Sequence, residues 1–293
     1  MKSIRLFSAL CLAALCHNYA LSDTRLPEVP AAMTAPEQRA AYIMTHIWDF
    51  PENLSSPEAA EQALSDFLSV AQARIAHTED YARAVAALTD KADKAGIDLL
   101  TLAAKYTSDP MAPYFDDELY LPFVDAALAS PSVLNKKNGL KERLQYDRAC
   151  ILKNRVGTQA TSFDVLSASG ITCPVTDLFT APKNLLILFD PDCDHCREIL
   201  SGLSASGSLA KAVETRQVNV IAVWIDAQDS PDAISIPSAE GWNIVSDRTG
   251  IMDNELYELP VMPSVYVIDD KNTIIRKNLV DIKTIKTALD LTE

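Results

Sequence analysis

Two cysteines separated by two residues are the part of the sequence best suited to chemistry. Cys193 follows an apolar run and a short polar break, and the residues after Cys196 are typical of a helix. At the start of such a helix, backbone N–H groups and the helix dipole stabilise a Cys193 thiolate, which is the attacking species in thiol–disulfide exchange. Cys196 then lies one turn further along. The spacing predicts Cys193 as the nucleophile and Cys196 as the thiol that resolves a mixed disulfide.

Charged neighbours are expected to tune this thiolate. Asp192 and Asp194 flank Cys193, and like charge opposes the formation of a second anion. His195, between the two cysteines, acts in the opposite direction. The three residues are therefore predicted to set the reactivity of the thiol, while the redox potential and the direction of electron flow stay open.

The elements that must position the cysteines are readable on both sides of them. Leu185 to Phe189 is a continuous apolar run, as expected of a strand buried on both faces, and Asp190-Pro191-Asp192 ends it. Met262 and Pro263 stand at the mouth of a later strand. We also expect strands at 218–225, 261–269 and 273–276, a short helix at 250–256 and a closing amphipathic helix at 282–291.

This arrangement resembles the thioredoxin fold in its secreted TlpA-like branch. A C-x-x-C pair at a strand-to-helix junction is one hallmark, and a proline opening the next-but-one strand is the other. In that family the proline is cis and lies against the active-site cysteines, which implies that Pro263, with Met262, shapes the surface on which clients dock. The resemblance implies an exported thiol–disulfide oxidoreductase, with an N-terminal helical domain of unknown function.

One position departs from the family pattern. Thioredoxins usually carry a buried aspartate six residues before the first cysteine, where it takes part in proton transfer, and Ile187 stands there instead. Another group or water must accept that proton, or exchange is slower.

Other interpretations of the same cysteines remain. In the alternative, the domain is a non-catalytic protein- or peptide-binding module, and Cys193 and Cys196 form a permanent structural disulfide. A zinc site would require two further ligands at matching spacing, and Cys150 and Cys173 are not spaced as such a pair. These two cysteines instead allow a structural bridge between the halves of the chain, a second redox relay, or two free buried thiols.

The N-terminus has the layout of a secretory signal peptide. A basic start precedes the apolar run Leu6 to Cys16, and Ala20-Leu21-Ser22 offers a cleavage point before Asp23. Residues 1–22 are therefore predicted to be removed, leaving an exported, periplasmic chain. The alternative is a lipid anchor in the cell envelope. No later segment has the length of apolar sequence that a transmembrane span needs.

Composition divides the remaining chain into two halves. Residues 23–150 contain 24 alanines and 9 valines plus isoleucines, whereas residues 151–293 contain 11 and 27. Because alanine favours helices and β-branched residues favour strands, we expect an α+β protein with two domains. An all-α antiparallel helical array should occupy residues 23–155, and a thioredoxin-like, three-layer α/β/α domain residues 156–293. Capping signals place helix starts at Thr34, Ser55 and Thr78. A further helix is expected at 117–129, where Asp116-Asp117-Glu118 is read as a solvated helix start.

Charge limits the classes of partner. The net charge of −14 argues against binding to nucleic acid, which is itself an anion. We expect client proteins with disulfides or thiols and an upstream redox partner, with neither a metal nor another cofactor.

Overall fold

A helical region is followed by a mixed sheet with helices, which confirms the predicted α+β fold class with two domains. The computed structural model describes residues 24–74, 78–227 and 229–291. The predicted signal peptide 1–22 lies outside them. The helices of the first region are α1 Pro36–His46, α2 Pro57–Arg74, α3 Glu79–Lys94, α4 Leu99–Thr107, α5 Asp117–Ala129, α6 Pro131–Leu134 and α7 Leu140–Leu152.

Prolines correct two of the three predicted helix starts. The Thr78 hydroxyl accepts from Tyr81 N at 3.3 Å, so the predicted cap of α3 is confirmed. In α1, Pro36 occupies the first helical position, and Ala35 rather than Thr34 precedes it without a side-chain cap. In α2 the first residue is again a proline, and the cap is Ser56, one residue after the prediction, with its hydroxyl 3.2 Å from Ala59 N. Proline suits the first helical position because its fixed φ is already helical and its missing N–H has no partner there.

The helical region has its own core, and α5 runs through it. Phe67, Tyr81 and Phe123 are almost fully buried in one cluster with residues of every long helix. The Tyr81 hydroxyl donates to the carbonyl of Leu119 at 2.6 Å, so this buried polar group is paired. Burial raises the pKa of Tyr81 well above its usual value.

Among the described helices, none is long and apolar enough to cross a membrane.

The described residues of the second region build a seven-stranded sheet with β3 near its centre. The strand order is β2-β1-β5-β4-β3-β6-β7. The strands β3, β4 and β5 are parallel, and the remaining neighbours pair antiparallel. The strands are β1 Asp164–Ser167, β2 Thr172–Pro174, β3 Lys183–Phe189, β4 Val218–Trp224, β5 Asn243–Asp247, β6 Ser264–Asp269 and β7 Ile274–Arg276.

Alternate residues of β3 enter the cores on the two faces of the sheet. Leu185, Ile187 and Phe189 pack under α8 Asp194–Ser204, α9 Gly207–Glu214 and α10 Ile282–Ala288, which together cover one face. Leu186 and Leu188 enter the other core, whose outer layer includes Phe163, Val175, Phe179 and Tyr257 from loops and a 3₁₀ turn. Burial on both faces explains why the run in β3 is continuously apolar.

Three strands and one turn differ from the predicted elements. The strands β1, β2 and β5 were not foreseen, so Pro263 precedes the third strand after β3, not the second. The predicted helix 250–256 is a series of turns. The Asp247 carboxylate accepts the backbone N–H groups of residues 249, 250 and 251, and Glu255 adopts a φ of 48°, which a helix does not allow.

A polar cluster joins the two regions at the start of α5. The Lys277 ammonium lies 2.8 Å from Asp117 Oδ2 and donates to the carbonyl of Ile151 at 2.9 Å, and its side chain is only 4% exposed. Asn278 donates to the same carboxylate oxygen at 2.8 Å. Beside it, Arg155 forms a bidentate pair with the buried Glu118. Charge-assisted bonds with this geometry fix the orientation of their partners.

Candidate active site

Cys193 is held at the first turn of α8 by its own neighbours. It is the N-cap residue of the helix, and its Sγ accepts from Cys196 N at 3.2 Å. The preceding turn is fastened twice: Asp190 Oδ1 accepts from Asp192 N at 2.8 Å, and Arg197 Nε donates to the carbonyl of Pro191 at 2.8 Å. The thiol therefore occupies the place of a helix cap, where backbone N–H groups favour an anion.

Pairing of β3 with β6 brings Pro263 next to the cysteines. Leu188 is paired with Ser264, so the residues that precede β6 lie beside the end of β3. The Met262–Pro263 peptide bond is cis, as the family resemblance implies. The Sγ of Cys193 lies 3.8 Å from the carbonyl oxygen of Met262. The half-buried Cys193 thiol thus borders the backbone that leads into the cis-proline.

Cys196 differs sharply from Cys193 in its surroundings. It is completely buried and packs in the same core as Ile187, the residue that replaces the family's aspartate. Burial, followed by the hydrogen bond with the Cys193 side chain, raises the pKa of the Cys196 thiol to about 12, while the backbone of Asp190 acts in the opposite direction. In the reduced chain, Cys196 is therefore protonated near neutral pH.

The residues predicted to tune the thiol all lie in solvent. Asp192, Asp194 and His195 are exposed. Nδ1 of His195 lies 3.4 Å from the carboxylate of Glu198, one turn further along α8, so the two charges partly compensate each other whenever the histidine is protonated. Water and salt screen such exposed charges strongly, which limits their influence on Cys193.

The structure does not join Cys150 and Cys173. Both are free thiols, as are Cys193 and Cys196. Cys150 is buried in the last turn of α7; burial first, and also Glu258, raise its pKa. Cys173 sits in the edge strand β2, where burial and then the carboxylates of residues 177 and 164 raise its pKa. The structure shows no bond between the two thiols, and their side chains have different neighbours.

A group of contacts that sequence reasoning missed supports the loop before Pro263. Asn154, just beyond α7, donates to the carbonyl of Leu256 at 2.8 Å and accepts from Thr161 N at 2.8 Å. Lys153 pairs with Glu255 at 3.2 Å. The only sequence signal is the asparagine itself, which ends α7 at a φ of 46°, a left-handed conformation that asparagine tolerates. Its distant partner leaves no local trace.

The same loop is fastened from within the sheet domain. The Tyr266 hydroxyl donates to the carbonyl of Glu258 at 2.9 Å, and the Tyr257 hydroxyl donates to the carbonyl of Thr161 at 2.8 Å. Ser264 Oγ closes the turn around the cis-proline by donating to the carbonyl of Val261 at 2.5 Å. The backbone facing Cys193 is therefore held from both domains.

Within the described ranges, no group of three or more histidine, cysteine or acidic side chains is arranged to hold a metal ion.

Comparison with known protein families gave a match to the N-terminal part of the chain. Residues 13–154 match a family model described as a domain of unknown function, DUF5106. A search of the curated proteins gave no significant match.

Three solved structures are similar to the chain. A thioredoxin-like protein from Bacteroides caccae shares 26% sequence identity with this chain. The match covers 92% of this chain and 98% of the Bacteroides caccae protein, with a TM-score of 0.78. The C-terminal domain of an uncharacterised Bacteroides fragilis protein shares 26% identity over 47% of this chain and 99% of its own, with a TM-score of 0.43. The thioredoxin domain of a Bacteroides vulgatus thiol–disulfide oxidoreductase shares 16% sequence identity. The match covers 46% of this chain and 96% of that domain, with a TM-score of 0.37. The chain thus resembles a thioredoxin-like protein along nearly its whole length, and its N-terminal region matches DUF5106.

Proposed function

We propose that this protein is a thiol–disulfide oxidoreductase whose exchange chemistry resides in residues 156–293. The observation that carries the proposal is the position of the Cys193 thiol. It caps α8, receives the Cys196 N–H and lies 3.8 Å from the backbone oxygen that precedes cis-Pro263. A half-exposed thiol at a helix start, beside a buried second thiol, has the parts that exchange requires.

In the first step, the Cys193 thiolate attacks one sulfur of a client disulfide. An S–S bond forms between Cys193 and the client, and the client's own S–S bond breaks, releasing a thiolate that takes up a proton. The helix N-terminus stabilises the attacking anion. The backbone of Met262 and Pro263 borders the sulfur and gives an extended client segment a surface on which to dock.

In the second step, Cys196 loses its proton and attacks Cys193 Sγ. The Cys193–Cys196 bond forms, and the second client sulfur leaves as a thiolate. The client gains two electrons and the protein loses two; the reverse sequence oxidises a client dithiol. Because burial raises the pKa of the Cys196 thiol, this step requires a base. Ile187 supplies none, so we propose that water or the departing client thiolate accepts the proton.

Trapping the mixed disulfide tests the proposal. The Cys196→Ser variant should accumulate a covalent adduct with a synthetic peptide that contains one disulfide, because the second step is blocked. Intact-mass analysis should place the peptide on Cys193. Cys173→Ser, which alters a thiol outside the site, serves as the matched control and should turn over without an adduct. If Cys196→Ser forms no adduct while remaining folded, the alternative of a binding module with an inert cysteine pair is favoured.

We also propose that the chain is exported after removal of residues 1–22. The basic start, the apolar run and the small residues before Asp23 support this. Mass analysis of the protein from the cell envelope should give a first residue of Asp23. An N-terminus that retains Met1 would contradict export by this signal, and an acylated cysteine would favour the lipid anchor.

A further inference from the structure

A cavity in the helical region has no part in the chemistry at Cys193. It has a volume of about 480 Å³ and lies between the end of α3, α4, α5 and the segment that joins α5 to α7. This volume is within the usual range for small-molecule pockets. The side chains that line its interior are mainly apolar, among them Leu100, Ala104, Phe123, Val133 and Leu140. None of its residues belongs to the sheet domain.

The mouth of the cavity carries two carboxylates whose oxygens already have partners. Asp93 accepts from Ser132 Oγ at 2.6 Å and pairs with Lys136. Asp98 accepts from both the backbone N–H and the hydroxyl of Thr101, at 3.2 and 3.0 Å. Lys137 adds a further bond to Asp98 at 3.0 Å. These contacts tie the segment after α5 to α3 and α4, and they use the acceptors at the mouth.

The cations at the mouth, in contrast, have donors to spare. The Lys137 ammonium has three N–H groups and makes one described bond to Asp98, with its side chain 63% exposed. The Arg143 guanidinium has five donors, and its described ion pair, with Asp147, is as long as 3.6 Å with the arginine side chain 69% exposed. With Lys136, this rim has three cations, and Asp93, Asp98 and Asp147 balance their charge, so the excess lies in hydrogen-bond donors. A polar group entering here must therefore be an acceptor, and a negative charge suits it best.

We propose that this cavity binds a small amphipathic carboxylate, with an apolar tail of medium-chain fatty-acid size inside. The tail would lie against Leu100, Ala104 and Phe123, and the carboxylate would meet Lys137 and Arg143. The chemistry of the lining selects this class of ligand. The apolar interior excludes water from the tail. The unused donors at the rim form charge-assisted hydrogen bonds with an anionic head group, which a neutral head group cannot form. This site is independent of the proposed exchange reaction.

Calorimetric titration of the full mature chain with dodecanoate, below its micellar concentration, tests the proposal. We expect saturable binding at one site, and dodecan-1-ol should bind at least about tenfold more weakly because it lacks the charge-assisted bonds. The paired change Lys137→Gln and Arg143→Gln should weaken dodecanoate by a similar factor and leave dodecan-1-ol unchanged. Lys211→Gln, on the exposed side of α9 in the sheet domain, is the matched control for charge and should have no effect.

Filling the cavity separates this site from nonspecific adsorption. Ala104→Trp, and independently Val133→Trp, should abolish binding of both ligands in variants whose circular dichroism and melting temperature remain close to those of the parent. The Cys193→Ser and Cys196→Ser double variant should bind dodecanoate unchanged, so failure of the exchange proposal leaves this result intact. Absence of binding to the parent chain, equal affinity for the alcohol, or binding that survives both filled variants would each overturn the proposal.

Discussion

Removing the ammonium of Lys277 should weaken the connection between the two domains more than any exposed ion pair does. In the Lys277→Met variant the aliphatic stem keeps its packing, but Asp117 loses its cation and the Ile151 carbonyl loses a donor. The Lys277 and Asp117 side chains are only 4% and 13% exposed, so water cannot easily replace the lost partner. The change therefore isolates the polar interaction.

The expected loss of stability follows from the burial of the ion pair and from the contacts that Asp117 keeps. Removing one partner of a buried pair typically costs about 3–5 kcal/mol. Asp117 still accepts from Asn278 at 2.8 Å and stands in the first turn of α5, where the helix dipole favours negative charge. We therefore expect a loss near the lower limit, about 3 kcal/mol. Adding Asp117→Asn to the same variant should recover part of it, because a neutral amide needs no counter-charge.

Urea unfolding followed by tryptophan fluorescence measures this effect in both domains. Trp48 reports on the helical core, and Trp224 and Trp242 report on the sheet domain. The matched control is Lys94→Met, which breaks the exposed pair with Asp90 and should cost less than about 1 kcal/mol. If Lys277→Met loses no more stability than this control, the buried pair does not hold the domains together, and the reasoning is refuted.

Three further predictions concern the active site. In the reduced chain, iodoacetamide should alkylate Cys196 slowly from pH 7 to 9, and the reaction should accelerate only towards pH 12, where the Cys196 thiolate forms. Mass mapping measures this, and Cys196 modified as fast as Cys193 at pH 8 would contradict it. Asn154→Ala should slow the formation of the Cys193 adduct with peptide clients several-fold without abolishing it, whereas the rate of Cys193 alkylation by a small reagent should change little. Equal slowing of both reactions would point to a general loss of structure. Ile187→Asp should speed resolution of the mixed disulfide by supplying a base and should lower the unfolding free energy by several kcal/mol, because a carboxylate replaces a fully buried apolar side chain. A variant that resolves no faster would show that the missing aspartate does not limit the second step.

Local signals made part of this structure predictable. The helix α5 was expected at residues 117–129 and has those bounds, since acidic residues start it and Pro131 follows its end. The Thr78 cap was likewise expected. The starts of α1 and α2 were misplaced because each proline already fixes the first helical position, and this outweighed the better-known capping pattern.

Distant pairing accounts for what the sequence did not reveal. The strands β1 and β2 are only four and three residues long, so alternation cannot identify them, and β1 is stabilised by its register with β5. Asp117 read as an ordinary solvated helix start, because its partner Lys277 lies on another domain. The sequence allows Cys150 and Cys173 to form a bridge, but in the fold the two thiols have different neighbours. The C-x-x-C motif was recognisable because all of its geometry is local.

A redox titration of the mature chain tests the central claim most directly. The protein would be equilibrated in dithiol and glutathione buffers, free thiols trapped with a mass tag, and the tagged cysteines mapped. We expect Cys193 and Cys196 to titrate together, as one two-electron couple, at a potential between roughly −120 and −270 mV. Cys173→Ser should leave this midpoint unchanged. A pair that stays oxidised in buffers below about −300 mV would behave as a structural disulfide, and the proposed exchange activity would be contradicted.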